Sequence, residues 1–259
     1  MDMQGKRGLV MGVANERSIA WGIAKALADA GAELAFTYQG EAFGKRVAPL
    51  AESVGSTTLL DVDVTDDASL DAAFAELETG GKLDFVIHAI AFSDKTELTG
   101  RFVDTSRANF KHSLDISCYS LVEVARRARP LMTEGGTILT LTFDGSQRVM
   151  PFYNVMGVAK AALESAVRYL AADLGPEGIR VNAVSPGPMK TLAGAAIGGA
   201  RKTFRHTEAN APMRANATLE AIGGTALYLC SDAGACTTGE VIHVDGGFHV
   251  MGMPNPDNL

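Results

Sequence analysis

The chain has 259 residues, 47% hydrophobic and 7% aromatic, a composition that excludes a disordered or fibrous protein and suffices for one well-buried domain. A formal net charge of −7 without any basic run excludes a nucleic-acid partner and favours a small-molecule substrate. Cys118, Cys230 and Cys236 are too scattered, with no histidine spaced for zinc, to form a disulfide framework or a metal site, so they read as reduced thiols of a cytoplasmic protein.

Lys6 and Arg7 precede an apolar stretch at 8–11 that soon meets Asn15-Glu16-Arg17; it is too short for a signal peptide and reads as a first buried strand. Further strands are expected at 34–37, 58–62, 85–90, 137–141, 181–184 and 241–244, with helices at 19–30, 70–77, 110–132, 155–174 and 219–229. Most of these strands are continuously apolar, as in a parallel sheet covered by helices on both faces. The alternation predicts one α/β domain over residues 1–259, a doubly wound Rossmann-type sheet with right-handed crossovers. No run of about 18 apolar residues is present to span a membrane. The irregular stretch at 186–200, with Gly194, Gly198 and Gly199, follows the carboxyl end of a strand. It reads as part of a lid at about 192–206 beside the substrate site; a plain connecting loop is the alternative.

Gly12 follows the first strand, and Gly12-Val13-Ala14-Asn15-Glu16-Arg17-Ser18 then enters a helix. Backbone amides there, with the Ser18 hydroxyl, suit pyrophosphate oxygens, although the turn departs from Gly-x-Gly-x-x-Gly and its next glycine, Gly22, is expected to pack on the strand. The second strand ends at Gln39, where dinucleotide folds read the adenosine ribose. A neutral residue offers no counter-charge to a 2′-phosphate, so NADH is favoured over NADPH despite Lys45 and Arg46 nearby. Asp63 could accept the adenine amino group while Val64 packs on the ring, and one acid of this acceptor-rich stretch is expected to cap a helix.

Tyr153 and Lys160 lie seven positions apart, which on a helix puts phenol and ammonium on one face about 10 Å apart. A phenol there can hydrogen-bond an oxygen that gains negative charge, and an ammonium can hold ribose hydroxyls.

Gly12 to Ile19, Phe36-Thr37-Tyr38-Gln39, His88-Ala89-Ile90-Ala91-Phe92, the Tyr153 to Lys160 segment, Gly175 to Ala183 and His243 to Phe248 together resemble the NADH-dependent enoyl-acyl-carrier-protein reductases of bacterial fatty-acid synthesis, a divergent branch of the short-chain dehydrogenase/reductase superfamily. Ordinary members of that superfamily carry the Tyr four residues before the Lys, where this chain has Met156. The resemblance implies hydride transfer from NADH to the β-carbon of a trans-2-enoyl thioester, with Tyr153 bonding the thioester oxygen and Lys160 holding the nicotinamide ribose. It implies cofactor contacts from Gly12, Ser18, Ile19, Gln39, Asp63, Val64, Ile90, Lys160, Met189, Lys190, Thr191, Leu192 and Ala193. Ser93, Phe143 and Met156 fall beside the acyl substrate. It also implies acyl carrier protein as the partner, met by a basic rim of Lys190, Arg201, Lys202 and Arg205, and a homotetramer. Two departures stand out: Phe143 replaces a second active-site Tyr, and Ala91 stands where many members have Gly. The competing readings are a carbonyl reductase of the same superfamily and an NADH-binding sensor without turnover.

Overall fold

The computed structural model describes residues 1–192, 194 and 199–258. Its seven strands are β1 (Arg7–Met11), β2 (Glu33–Tyr38), β3 (Thr58–Asp61), β4 (Phe85–His88), β5 (Gly136–Leu141), β6 (Ile179–Pro186) and β7 (Val241–Val244). They form a single sheet in the order β3-β2-β1-β4-β5-β6-β7, every neighbouring pair parallel. The chain is therefore a doubly wound Rossmann-type α/β domain. Strand order reverses between β1 and β4, where Met11 pairs with His88, and the crevice past those carboxyl ends is where such sheets bind ligands.

The helices are α1 (Ile19–Asp29), α2 (Gly40–Ser53), α3 (Asp67–Thr79), α4 (Lys95–Leu98), α5 (Arg107–Leu114), α6 (Ser120–Ala128), α7 (Asn154–Leu174), α8 (Ala200–Asn210) and α9 (Leu219–Cys230). β1 and β4 are buried along their whole length because alternate side chains enter two different cores. Leu9, Met11, Val86 and Val181 pack with α3, α6 and α7 through Leu70, Leu121 and Leu163. Val10, Phe36, Ile87 and Val184 pack with α1 and α9 through Ile23, Leu27 and Ile222. No helix among the described residues is long and apolar enough to cross a membrane.

The expected helix at 110–132 is divided. Ser106 caps α5 by accepting from the Asn109 amide, and α5 passes into α6 through a π-helical segment, Asp115–Tyr119. Just past it, the Ser120 hydroxyl donates to the Ile116 carbonyl at 2.6 Å, the kind of side-chain competition that disturbs a helical ladder. Three helices were not expected: the one-turn α4, α2 and α8. α2 contains Gly40, Gly44 and Pro49, which mask its periodicity, and α8 follows glycine-rich sequence. Gly22 does not pack on a strand as expected: a Cβ there would come within 2.8 Å of Leu219, so its role is the close crossing of α1 and α9.

Candidate active site

At the β1 exit, Gly12 has φ +96, and a Cβ on it would lie 2.1 Å from the Ala89 carbonyl oxygen. Only glycine lets the turns after β1 and β4 press together there. Ser18 is the N-cap of α1, and its Oγ accepts from the Ala14 amide at 2.9 Å and the Asn15 amide at 3.1 Å. Its lone pairs thus shape the turn at the positive end of α1. This cradle, closed to any side chain at Gly12 and lined by amides, fits a dinucleotide pyrophosphate.

Gln39 is exposed at the N-cap of α2. Asp63 Oδ1 accepts from the Thr65 hydroxyl at 2.7 Å and the Thr65 amide at 2.9 Å. Those bonds, helped by the Gln39 side chain, hold its carboxyl below the usual range. Asp66 is the acid that caps α3, through the Ala68 amide. Val64 and Ile90 pack half-buried against the core. Two cations lie nearby in sequence: Lys45 pairs with Glu41 at 2.5 Å on the surface, and Arg46 lies 5.9 Å over the Phe43 ring.

Tyr153 stands not inside a helix but as the N-cap of α7, six per cent exposed. Lys160, two turns on, is five per cent exposed, and its Nζ donates to the Leu141 carbonyl at 2.8 Å. Burial lowers the Lys160 pKa to about 8, against the opposing pull of Cys118 and Glu164. Burial, reinforced by Glu164, drives the Tyr153 phenol well above its ordinary value. The Phe143 ring meets Tyr153 edge-on at 5.1 Å, which locks the phenol plane.

Glu164, four residues beyond Lys160, accepts from the hydroxyls of Thr142 at 2.6 Å and Ser146 at 2.5 Å. It ties the β5 exit to α7. Its spacing from Lys160 places both on one helix face, a signal the sequence carries. His88 is the last residue of β4. It is fully buried between Thr140 Oγ1 at 3.0 Å and Ser120 Oγ at 2.8 Å, and burial, with the Lys160 charge nearby, lowers its pKa to about 3.

A cavity of about 160 Å³ brings together the expected residues Ile19, Phe143, Tyr153, Met189 and Thr191. Thr142 and Met150 also line it and were not expected there, and Thr203 of the expected lid joins them. Other expected residues lie elsewhere. Lys190 is exposed with Nζ 4.4 Å over the Phe204 ring, and Leu192 is exposed. Ser93 is held by polar partners, donating to Asn109 Oδ1 at 3.3 Å and accepting from Ser113 Oγ at 2.9 Å. Met156 is buried in a small apolar cluster with Leu98, Tyr153 and Val155. Ala193 and part of the expected lid lie outside the described residues. A larger hollow of about 280 Å³ lies between α6 and α7 beside Arg126 and Glu177, at the far end of α7 from Tyr153, and gathers none of this chemistry.

Residues 12–249 match the family model described as Enoyl-(Acyl carrier protein) reductase. Over 256 residues the chain is 60% identical to the Rhizobium meliloti protein named Enoyl-[acyl-carrier-protein] reductase [NADH] 1, covering 98% of this chain and 94% of that protein. It matches the crystal structure of the Anaplasma phagocytophilum enoyl-(acyl-carrier-protein) reductase in complex with NAD at TM-score 0.94 and 54% identity, over 98% of this chain and 96% of that one. The crystal structure of FabI from Candidatus Liberibacter asiaticus matches at TM-score 0.96 and 50% identity, over 98% of each chain.

Proposed function

We infer that this chain, which belongs to the enoyl-(acyl carrier protein) reductase family, is an NADH-dependent reductase of trans-2-enoyl thioesters carried on acyl carrier protein in fatty-acid synthesis. The observation that carries the site assignment is the buried pair of Tyr153 and Lys160 at the C-terminal edge of the sheet, with Phe143 packed edge-on against the phenol. When bound, NADH supplies the hydride delivered to the β-carbon of the double bond.

To the cofactor we assign Gly12, Ser18 and Ile19 at the β1 turn, Gln39, Asp63 and Val64 at the adenosine end, and Ile90, Lys160 and Met189 to Ala193 at the nicotinamide end. Gly12 supports this through the absent Cβ, and the α1 terminus through its free amides. The Lys160 ammonium has three hydrogens and spends one on Leu141, which leaves two for ribose hydroxyls. Gln39 brings no cation to the ribose, which supports NADH over NADPH.

Burial keeps the Tyr153 phenol protonated at working pH, so it acts as a neutral donor to the thioester oxygen as negative charge builds there. Phe143, Met150 and Met189 make the cavity apolar and exclude water from that bond. Phe143 has no hydroxyl to give, so this reductase works with one phenol where relatives of the resemblance use two. Ser93 and Phe143 lie on the acyl side, and Met156 supports Tyr153 from the buried cluster. The lid at about 192–206 includes the start of α8, and Lys190, Arg201, Lys202 and Arg205 offer a basic rim to acidic acyl carrier protein. We further propose a cytoplasmic homotetramer.

The carbonyl-reductase alternative needs a phenol four residues before Lys160. That position is Met156, buried and without a hydroxyl. A spectrophotometric panel decides between them, pairing NADH or NADPH with crotonyl or acetoacetyl thioesters. Oxidation of NADH by crotonyl thioester, with little by acetoacetyl thioester, is expected. The reverse preference would establish a carbonyl reductase, and tight NADH binding with no turnover on either would establish a sensor.

A further inference from the structure

Tyr153 sits between two left-handed residues that are not glycine, Phe152 with φ 62 and Asn154 with φ 37. Such conformations persist only where the surroundings impose them, and they gather at functional sites. For Asn154 the imposing contacts are visible. Its Nδ2 donates both hydrogens, one to the Glu97 carbonyl and one to the Gly100 carbonyl, each at 2.9 Å. These carbonyls belong to α4 and the turn after it, 54 to 57 positions earlier in the chain.

That segment is anchored from its far side as well. The Glu97 carboxylate accepts from the Ser106 amide at 2.9 Å, the Ser106 hydroxyl at 2.8 Å and Asn109 Nδ2 at 3.3 Å. Asn109 Oδ1 in turn accepts from the Asp94 amide at 3.0 Å and the Ser93 hydroxyl at 3.3 Å. A connected polar chain therefore runs from Ser93, across α4, to the residue that follows Tyr153. On the other side of Tyr153, the Phe152 ring lies 3.0 Å from where a Cβ on Gly199, the N-cap of α8, would stand.

We propose that Asn154 is a positioning residue: its side-chain amide clamps the 93–100 segment to the first turn of α7, and so aims the Tyr153 phenol at the thioester oxygen of an acyl substrate lying along that segment. The proposal rests on the enoyl-thioester reading of the site. Asn154 touches neither the cavity wall nor the reacting atoms; it acts through the backbone of Tyr153 and through the carbonyls of α4. An amide is required rather than any polar group, since two carbonyl acceptors need two N–H donors from one planar head.

Two variants separate the clamp from the backbone conformation. Asn154→Gly removes the donors while freeing φ, and Asn154→Asp keeps the shape and tolerance for a left-handed backbone but turns the donors into acceptors. In both, kcat with crotonyl thioester should fall at least tenfold and the KM for the thioester should rise severalfold, with the NAD Kd by calorimetry within twofold of the parent. Amide hydrogen exchange across 94–100 should accelerate in both, with the β-sheet unchanged. Glu97→Ala, which loosens the same segment from its far anchor without touching α7, should reproduce the split more weakly, and it serves as the test if the Asn154 variants fail to fold. Parental kcat and KM in Asn154→Gly, or loss of NAD binding in step with turnover, would overturn the proposal. Exchange is read on the NAD-bound protein without substrate. A parent that fails to reduce crotonyl thioester would therefore sink the functional reading while the clamp is still scored by itself.

Discussion

Gly145→Ala should disable turnover without unfolding the protein or releasing the cofactor. Gly145 lies in the turn Asp144–Ser146, outside the left-handed region, so its backbone accepts alanine. The added Cβ would stand 2.4 Å from Tyr153 Cδ1 and 2.8 Å from Cε1. Carbon atoms rest at about 3.5–4.0 Å, so the two must separate by roughly 1 Å. The turn cannot retreat, because Glu164 holds Thr142 and Ser146 on either side of it, and a Cβ on Gly157 of α7 would already meet the Gly145 oxygen at 2.6 Å. The phenol ring therefore gives way. A displacement of about 1 Å at a catalytic group costs on the order of 10²-fold, and overpacking a formed core costs about 1–3 kcal/mol of stability. The assay is NADH oxidation at saturating crotonyl thioester, beside calorimetric NAD binding and a thermal melt. A folded variant with parental NAD affinity and kcat within threefold of the parent would refute the placement of Tyr153 against this turn.

Lys160 has its pKa lowered to about 8 in the folded protein, so the ammonium is present below that pH and lost above it. The kcat/KM should fall about tenfold per pH unit above roughly 8, and Lys160→Arg, which keeps its proton, should move that break upward; a flat parental profile to pH 9.5 would contradict this. His88 is held neutral with a folded pKa of about 3, below its unfolded value, so its contribution to stability is complete above about 6.5 and is lost as pH falls towards 3. His88→Asn keeps polar atoms facing Thr140 and Ser120 without titrating; it should flatten the acid dependence of unfolding, a term of ~5 kcal/mol at most, and an unchanged slope in denaturant titrations from pH 6.5 to 4 would count against it. Phe143→Tyr should raise kcat/KM on an enoyl thioester, since it adds a hydroxyl beside Tyr153 while preserving ring volume, and equal or lower values would show that the single phenol suffices.

Much of this architecture is legible in the sequence, for a physical reason. Strands buried on both faces are continuous apolar runs, and β1 and β4 are legible because Leu9, Met11 and Val86 enter one core and Val10, Phe85 and Ile87 the other, although the expected strand at 85–90 overruns β4 by two residues. α2 is hidden because Gly40, Gly44 and Pro49 oppose helix locally, while Val47 and Ala51 gain enough from the core to form it. The site is legible where chemistry follows spacing along one helix, as with Tyr153 and Lys160. It is silent where chemistry depends on contacts distant in sequence. The Glu164 hold on Thr142 and Ser146, the His88 bonds to Thr140 and Ser120, and the reach of Asn154 to Glu97 and Gly100 all join separate elements. Even the helix placement of Tyr153 shifts by one residue, because α7 begins at Asn154, whose left-handed backbone no local pattern announces.

The most direct test is the rate of NADH oxidation with crotonyl thioester by the parent and by Tyr153→Phe, measured together with NAD affinity. The account predicts turnover in the parent, a loss of about 10²-fold or more in the variant for one missing donor to the developing oxyanion, and nearly equal NAD affinity in both. Equal turnover in parent and variant would contradict it, because the phenol would then have no part in the reaction.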